Sequence, residues 1–454
     1  NKADAALPLF KVALETNPKI EQFWFSYLDA LIKEKQLEEA KKVLKKAEDC
    51  GVDKDKLAVL SQQLASEIEI PTPTPSALNS LLENFQNGRY EVAEKLAVSL
   101  TREFPKHQFG WKVLGAVLGQ TGRKLEAVDA NKKAVKLSPE DAEAHSNLGI
   151  TLKELGRLNE AEASLRQALD LKPAYAEAHN NLGNTLQQLV RLDDAEASYR
   201  QAIALKSDYV EAHINLGNVL KELDRLDEAE ASYVQAIGLA PLFAEAHNNL
   251  GVTLQELDRL EEAEASYTRA ISLKADYAEA LSNLGVIHKE MGRLEEAETS
   301  YRRAISARPG YAEAHSNLGI ALSALGRLVE AETSYRQAIA MKPGHAEIHN
   351  NLGFTLKELG RLDEAETSYR QAIALKPDFA EAHNNLGSML KDLGRLVEAQ
   401  ESYRQALALK PDYVEVRHML ASLTGETTSA APRAYVQKLF DDFVRDYEIQ
   451  YKQL

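Results

Sequence analysis

Seven of the eleven histidines in this 454-residue chain fall on one spacing: His145, His179, His213, His247, His315, His349 and His383 stand 34 residues, or a multiple of 34, apart. Imidazole binds metals and carries protons, so a metal site is the first chemistry to test. The spacing argues against it. Packed helices lie about 8–10 Å apart, too far for equivalent rings in successive repeats to share an ion. No second histidine or carboxylate stands four residues on from any of them. They are read as packing rings, with no metal and no cofactor expected.

A second periodic set is amidic. Asn147, Asn181, Asn215, Asn249, Asn283, Asn317, Asn351 and Asn385 share one offset, two residues beyond the histidine position. Asparagine inside a helix is roughly 0.6 kcal/mol worse than alanine, so eight of them imply a use. Each amide offers donors and an acceptor to an extended backbone whatever its sequence. One reading is therefore a ladder that holds a peptide, and the other is hydrogen bonding between repeats. Three charged positions recur as well. Glutamate precedes the histidine position by two in every unit, and lysine stands at Lys153, Lys221, Lys289, Lys357 and Lys391. Arginine runs through Arg157, Arg191, Arg225, Arg259, Arg293, Arg327, Arg361 and Arg395. These are read as solvated or carboxylate-paired faces.

The elements that position these residues follow from the period. Units begin at Ala142, Ala176, Val210, Ala244, Ala278, Ala312, Ala346 and Ala380, with a divergent unit in phase over 108–141. In the 176 unit, Ala178, His179, Leu182 and Leu186 mark a first helix, and Leu192, Ala195, Tyr199, Ala202 and Ile203 a second. Glycine at position 15 stops the first helix in most units, and proline at position 32 stops the second, except at Ser207 and Ala275. Val190, Asp224 and Asp258 replace the helix-ending glycine, and valine there predicts a strained or reshaped turn. Small residues at positions 8, 20 and 27 let helices approach, and the aromatic at position 24 fills the gap between them.

This pattern resembles the tetratricopeptide repeat over residues 108–413. The resemblance implies an all-α fold: a right-handed superhelix, or α-solenoid, of about eleven helix-turn-helix units with capping helices, first helices lining a concave groove. It implies a protein or extended peptide in that groove. The asparagine ladder is similar to that of the O-linked N-acetylglucosamine transferase repeat region, where stacked asparagines hold a threaded peptide.

Composition narrows the partners. Sixty-nine acids against 54 bases leave a net charge of −15, which argues against nucleic acid or an anionic membrane. No apolar run approaches the ~20 residues of a membrane span. The single cysteine, Cys50, excludes an internal disulfide, and a cytoplasmic location is expected. The charge is uneven: units 278–311 and 312–345 hold equal numbers of acids and bases. Here position 9 turns apolar, as Val252, Val286, Ile320 and Phe354. Ala324 stands where other units carry charge, Leu281 replaces histidine and His288 replaces leucine. These residues predict an apolar groove patch of Val252, Val286, Ile320, Phe354, Ala324 and Leu281, of the kind that marks a contact surface.

The ends differ. Residues 1–70 read as an N-terminal helical module around Trp24, and 71–75 (Pro-Thr-Pro-Thr-Pro) as a semi-rigid linker. Residues 76–424 are the superhelix, closed by a cap in which Met419 and Ala421 depart from the pattern. Residues 425–454 are a linker and a last helix at 433–450. That last segment, with Pro432, Tyr435, Val436, Phe440, Asp441 and Asp442, resembles the junction where bacterial repeats precede an S-adenosylmethionine-dependent methyltransferase. A chain opening on Asn1 reads as excised from something longer. No Walker loop, His-Glu-x-x-His or Gly-x-Ser-x-Gly motif is present, so the chain is not expected to be an enzyme by itself. The expected function is a peptide- or protein-binding scaffold, the recruiting part of a larger bacterial protein. The alternatives are the N-terminal region of a methyltransferase or glycosyltransferase, and a scaffold that self-associates end to end.

Overall fold

A computed structural model of the chain describes residues 2–68, 72–426 and 436, the side chains of 2–6 and 66–68 excepted. These residues form 25 helices and no strand. The expected helix at 433–450 and the methyltransferase-like segment lie almost wholly outside them. By contacts the chain divides into two compact units, 1–207 and 208–454.

The repeat sets the elements. In the 278 unit the first helix runs Ala278–Glu290 and the second Leu294–Ala307, and the other seven core units copy these bounds closely. Three earlier pairs precede them: Glu21–Lys33 with Leu37–Asp49, Pro75–Gln86 with Tyr90–Glu103, and Gln108–Gln120 with Lys124–Leu137. Unpaired helices stand at Lys2–Thr16, Lys54–Ile68 and Val414–Thr424. Pro75, assigned to the linker by its sequence, instead opens a helix. Thr74 caps it, its hydroxyl accepting from the Ala77 amide at 3.3 Å. Proline suits this first position because its missing N–H would go unpaired there anyway.

Seven of the eight core pairs are closed by one contact. The position-24 tyrosines Tyr199, Tyr233, Tyr267, Tyr301, Tyr335, Tyr369 and Tyr403 are buried, each against the position-8 glycine of its own first helix. A Cβ on Gly285 would lie 2.6 Å from Tyr301 Cε1, and one on Gly183 would lie 2.5 Å from Tyr199 Cε1. Only glycine admits the ring, whose burial is worth roughly 1.5–3 kcal/mol per unit. Alanines at positions 20 and 27, such as Ala297 and Ala304, are fully buried beside it. Within each compact unit, first helices of successive repeats touch, while no pair of second helices makes comparable contact. The first helices therefore form the inner layer.

The turn after the first helix is left-handed. Gly156, Gly292, Gly326, Gly360 and Gly394 have φ of +73° to +77°. Val190, Asp224 and Asp258 keep the same turn at φ +59°. The Val190 amide still donates to Gln187 O, and Arg191 N to Leu186 O, both at 2.9 Å, as the Gly156 turn does with Lys153 and Leu152. The turn is thus strained and not reshaped. Replacing Val190, which is 78% exposed and makes no core contact, by glycine should stabilise the chain by about 1–2 kcal/mol, read as a higher urea midpoint. Gly285→Ala should do the opposite. Overpacking against Tyr301 costs about 1–3 kcal/mol, offset by up to about 1 kcal/mol of helix propensity, so a lower midpoint is expected. Gly119→Ala, where a Cβ meets nothing within 4 Å, should raise the midpoint.

Candidate functional site

The periodic histidines have a specific structural task. All seven sit at position 4 of a first helix, and six of them, all but His213, lie against the carbonyl of the proline that ends the preceding second helix; the residue six before His213 is Ser207. His145 Nε2 lies 3.0 Å from Pro139 O, His179 3.0 Å from Pro173 O, and His247 3.1 Å from Pro241 O. His315, His349 and His383 repeat the bond at 3.0–3.2 Å. A carbonyl can only accept, so Nε2 carries the proton in each ring. Trp24 and Trp111 make the same bond through Nε1, both at 2.9 Å, and Arg417 makes it in the cap. The requirement is a donor that reaches an orphan helix-end carbonyl. Where position 4 is Leu281, the residue six before it is Ala275 and not proline. Leu281 is 1% exposed and packs in the core between repeats. It offers no surface, which corrects its assignment to the groove patch. Among the described residues no group of three metal-binding side chains occurs.

The ladder asparagines stand half-buried on one face of successive first helices. Asn249 Nδ2 donates to Asn218 Oδ1 (3.1 Å), Asn283 to Asn248 (3.2 Å) and Asn385 to Asn350 (3.0 Å), each time into the preceding repeat. Position-10 threonines bond the helix carbonyls of the same asparagines, as Thr151 Oγ1 does to Asn147 O at 2.8 Å and Thr185 to Asn181 at 2.9 Å. Inter-repeat bonding is therefore real at these three rungs. Each amide has a second N–H beyond the one so engaged.

Beside the ladder, positions 9 and 12 meet the tyrosine hydroxyls that cross from the second helices. Tyr199 donates to Asn184 Oδ1 at 2.7 Å, Tyr233 to Asn218 Oδ1 at 2.7 Å, and Tyr267 to Gln255 Oε1 at 3.2 Å. Of the four tyrosines beside an apolar position 9, Tyr267 and Tyr335 find partners in Gln255 and Ser323, while Tyr301 and Tyr369 bury their hydroxyls without one, a cost of about 1–3 kcal/mol each. Burial pushes the Tyr233, Tyr267, Tyr301 and Tyr369 phenols above their ordinary value, so all stay protonated. Of the proposed patch, Val252, Val286 and Ile320 are half-buried against the repeat cores. Phe354, 45% exposed, and Ala324 reach solvent.

The charged positions link repeats. Arg293 grips Glu296 of its own unit (2.9 and 2.6 Å) and Glu264 of the preceding one (2.9 and 2.7 Å). Arg259, Arg327, Arg361 and Arg395 do the same. Position-2 glutamates pair with bases near the end of the second helix, as Glu347 does with Lys376 at 3.1 Å. Lys221 and Lys357 reach Glu256 and Asp392 one repeat on. Hydrogen bonding from Arg395, against the opposing cost of burial, holds the Glu366 carboxyl below its ordinary 4.5, and Arg370 adds to the effect. A depressed carboxylate contributes stability that is complete above the unfolded value and is lost as pH falls through the folded one. The unfolding midpoint should thus be level at neutral pH and drop below about pH 4.5, with a shallower drop in Glu366→Gln.

Two buried departures from the repeat have roles that the sequence did not foresee. His288, at position 11, is buried with Nε2 3.2 Å from Glu264 Oε1 and Nδ1 3.3 Å from Ser300 Oγ. Asn131 holds the tyrosine position in the 108–141 unit. A comparison of the 34-residue units column by column would have found it.

Models of the tetratricopeptide repeat match residues 82–142, 130–163, 210–241, 242–309, 276–344, 334–367 and 380–413, with a further match at 21–49. A model described as TPR repeat adds 151–190, 191–224 and 355–394. Together they tile 82–413 without a gap, and the chain belongs to the tetratricopeptide-repeat family. Among solved structures it is similar to MamA, at 26% identity over 36% of this chain and 95% of that one, with a TM-score of 0.34. It is also similar to YrrB, described as a repeat protein with an unusual peptide-binding site, at 24% identity over 40% and 95%, with a TM-score of 0.36. The APC/C hetero-tetramer Cut9–Hcn1 matches at 13% identity over 93% of both chains, with a TM-score of 0.46. Comparison with curated proteins returns no match.

Proposed function

We propose that the chain is a scaffold that binds an extended peptide or protein segment along its first-helix face, with Asn147, Asn181, Asn215, Asn249, Asn283, Asn317, Asn351 and Asn385 as backbone contacts. The observation that carries this reading is the register of the ladder. The amides lie at one position of consecutive inner helices, half-exposed, and at three rungs one N–H is held by the neighbouring repeat. An amide so held is pre-oriented, which lowers the entropy cost of using its remaining groups on a ligand. Phe354, the exposed end of the apolar run at position 9, supplies a side-chain contact beside the neutral units. The alternatives to this reading are the N-terminal region of a methyltransferase or glycosyltransferase, and a scaffold that self-associates end to end.

An array of short extended peptides probed with the purified chain tests the reading. Asn283→Ala, Asn317→Ala and Asn351→Ala combined should weaken every bound peptide at least tenfold, largely independent of its sequence. Phe354→Glu should weaken only those with an apolar residue opposite it. Unchanged affinity in the triple variant would remove the ladder from the binding surface.

A further inference from the structure

The 108–141 unit departs from the tyrosine contact that closes seven of the eight core hairpins. At position 24 it carries Asn131, which is 1% exposed and lies against Gly115 as the tyrosines lie against their glycines: a Cβ on Gly115 would come 2.1 Å from Asn131 Oδ1. Its Nδ2 donates to Thr151 Oγ1 at 2.9 Å, and its Oδ1 has no hydrogen-bond partner. Asparagine is far shorter than tyrosine, so the outer part of the slot, where the ring and hydroxyl pass in other units, is left unfilled. The facing positions 9 and 12 are Ala116 and Gly119, the smallest pair in any unit of the array.

The result is a cavity of about 420 Å³ on the inner face, floored by Gly115, Ala116 and Gly119 and walled by Phe85, Phe109 and Ile150. Gly119 is the penultimate residue of its helix, Gln108–Gln120, with no positive φ, and a Cβ there would meet nothing. Neither backbone conformation nor packing requires glycine, which costs about 1 kcal/mol against alanine in a helix. Its effect is to keep the cavity open. Asn147, the first rung of the ladder, is on the cavity wall.

The charges at the mouth are also placed. Lys112 Nζ is held between Asp141 Oδ2 (3.2 Å) and Glu143 Oε2 (2.7 Å), and Lys124 pairs with Glu154 at 3.7 Å. Of these, Lys112, Glu143 and Glu154 line the cavity, one base against two acids, which leaves one negative charge, and Lys112 is already engaged.

We propose that this cavity is an anchor pocket for one aromatic side chain of the bound peptide, next to a basic residue of the same peptide, at the N-terminal end of the asparagine ladder. The apolar, aromatic-walled interior takes a planar ring, and the carboxylates at the mouth take the cation. The proposal rests on the peptide-binding reading for its natural occupant, but the pocket itself can be tested without a peptide.

Tryptamine, an indole bearing a cationic amine, is the probe, titrated into the full chain by calorimetry or NMR. It should bind the wild type and bind Asn131→Tyr at least tenfold more weakly. Indole-3-propionate, the anionic counterpart, should bind the wild type more weakly than tryptamine. Tyrosine at 131 restores the residue that packs against glycine elsewhere, so this variant should melt at or above the wild-type temperature. If it does not fold, Gly119→Leu, which fills open space, is the second blocking variant. Equal tryptamine affinity in wild type and a folded blocked variant overturns the pocket, as does indole-3-propionate binding equally well. In the second arm, a labelled extended peptide with a Lys-Trp pair should bind the wild type about tenfold more tightly than its Lys-Ala version, and Asn131→Tyr should abolish that difference. Peptides that bind alike overturn the anchor while leaving the ladder standing. Tryptamine binding with no peptide binding overturns the peptide as occupant and the groove reading with it.

Discussion

The glycine-to-tyrosine contact inside seven of the helix pairs governs both stability and surface. With a Cβ at position 8 the ring could not cross; with it crossing, the two helices close over a buried phenol. The same geometry carries the hydroxyl past the first helix to positions 9 and 12, which belong to the inner face. The side chain that fills the hairpin therefore also touches the residues that would meet a ligand. A change at position 9 alters the partner of a core hydroxyl, and a change at position 24 alters the floor of the groove.

Between repeats the glue is different in kind. Within a pair the contacts are apolar and close-packed. Across successive pairs they include proline carbonyls bonded by position-4 rings, amides bonded to amides, and arginines bridging two glutamates. Single exposed ion pairs are worth about 0–1 kcal/mol. Here each bridging arginine is bidentate to one carboxylate and shares a mostly buried second one, which raises geometric specificity more than raw energy. Such polar links fix how one repeat is set on the next, and so keep the ladder amides in line.

Much of the scaffold was legible because the period repeats its own evidence. Helix bounds, the left-handed turn and the tyrosine filler each recur in nearly every unit, so a single misread residue did not matter. What the sequence hid depends on side-chain direction. Leu281 read as groove surface because its neighbours did, but position 4 points into the preceding repeat and not into the groove. Val190 read as a possible new turn, while the hydrogen bonds of the turn hold the valine at φ +59° instead. The histidine positions were read correctly as structural, but the carbonyl they bond is six residues back, beyond any helical neighbour relation. Asn131 carries no sign of its own in the sequence, because only its departure from the tyrosine of position 24, a departure shared with Leu165, sets it apart.

That departure is informative because positions 24 and 9 can be compared pair by pair within the one chain. Tyr199 faces Asn184 and Tyr233 faces Asn218, each hydroxyl with an amide acceptor. Leu165, with no hydroxyl, stands in the unit whose position 9 is the apolar Ile150. Tyr301 and Tyr369 face Val286 and Phe354 and leave their hydroxyls unsatisfied. Asn131 stands with Ala116, and with Gly119 at position 12 the space is left empty. The first two kinds of pairing satisfy the core at no cost. The last two burden it, with an unpaired buried oxygen in each case, and both expose apolar surface beside the ladder. Packing alone would remove such burdens through a single substitution to phenylalanine or tyrosine.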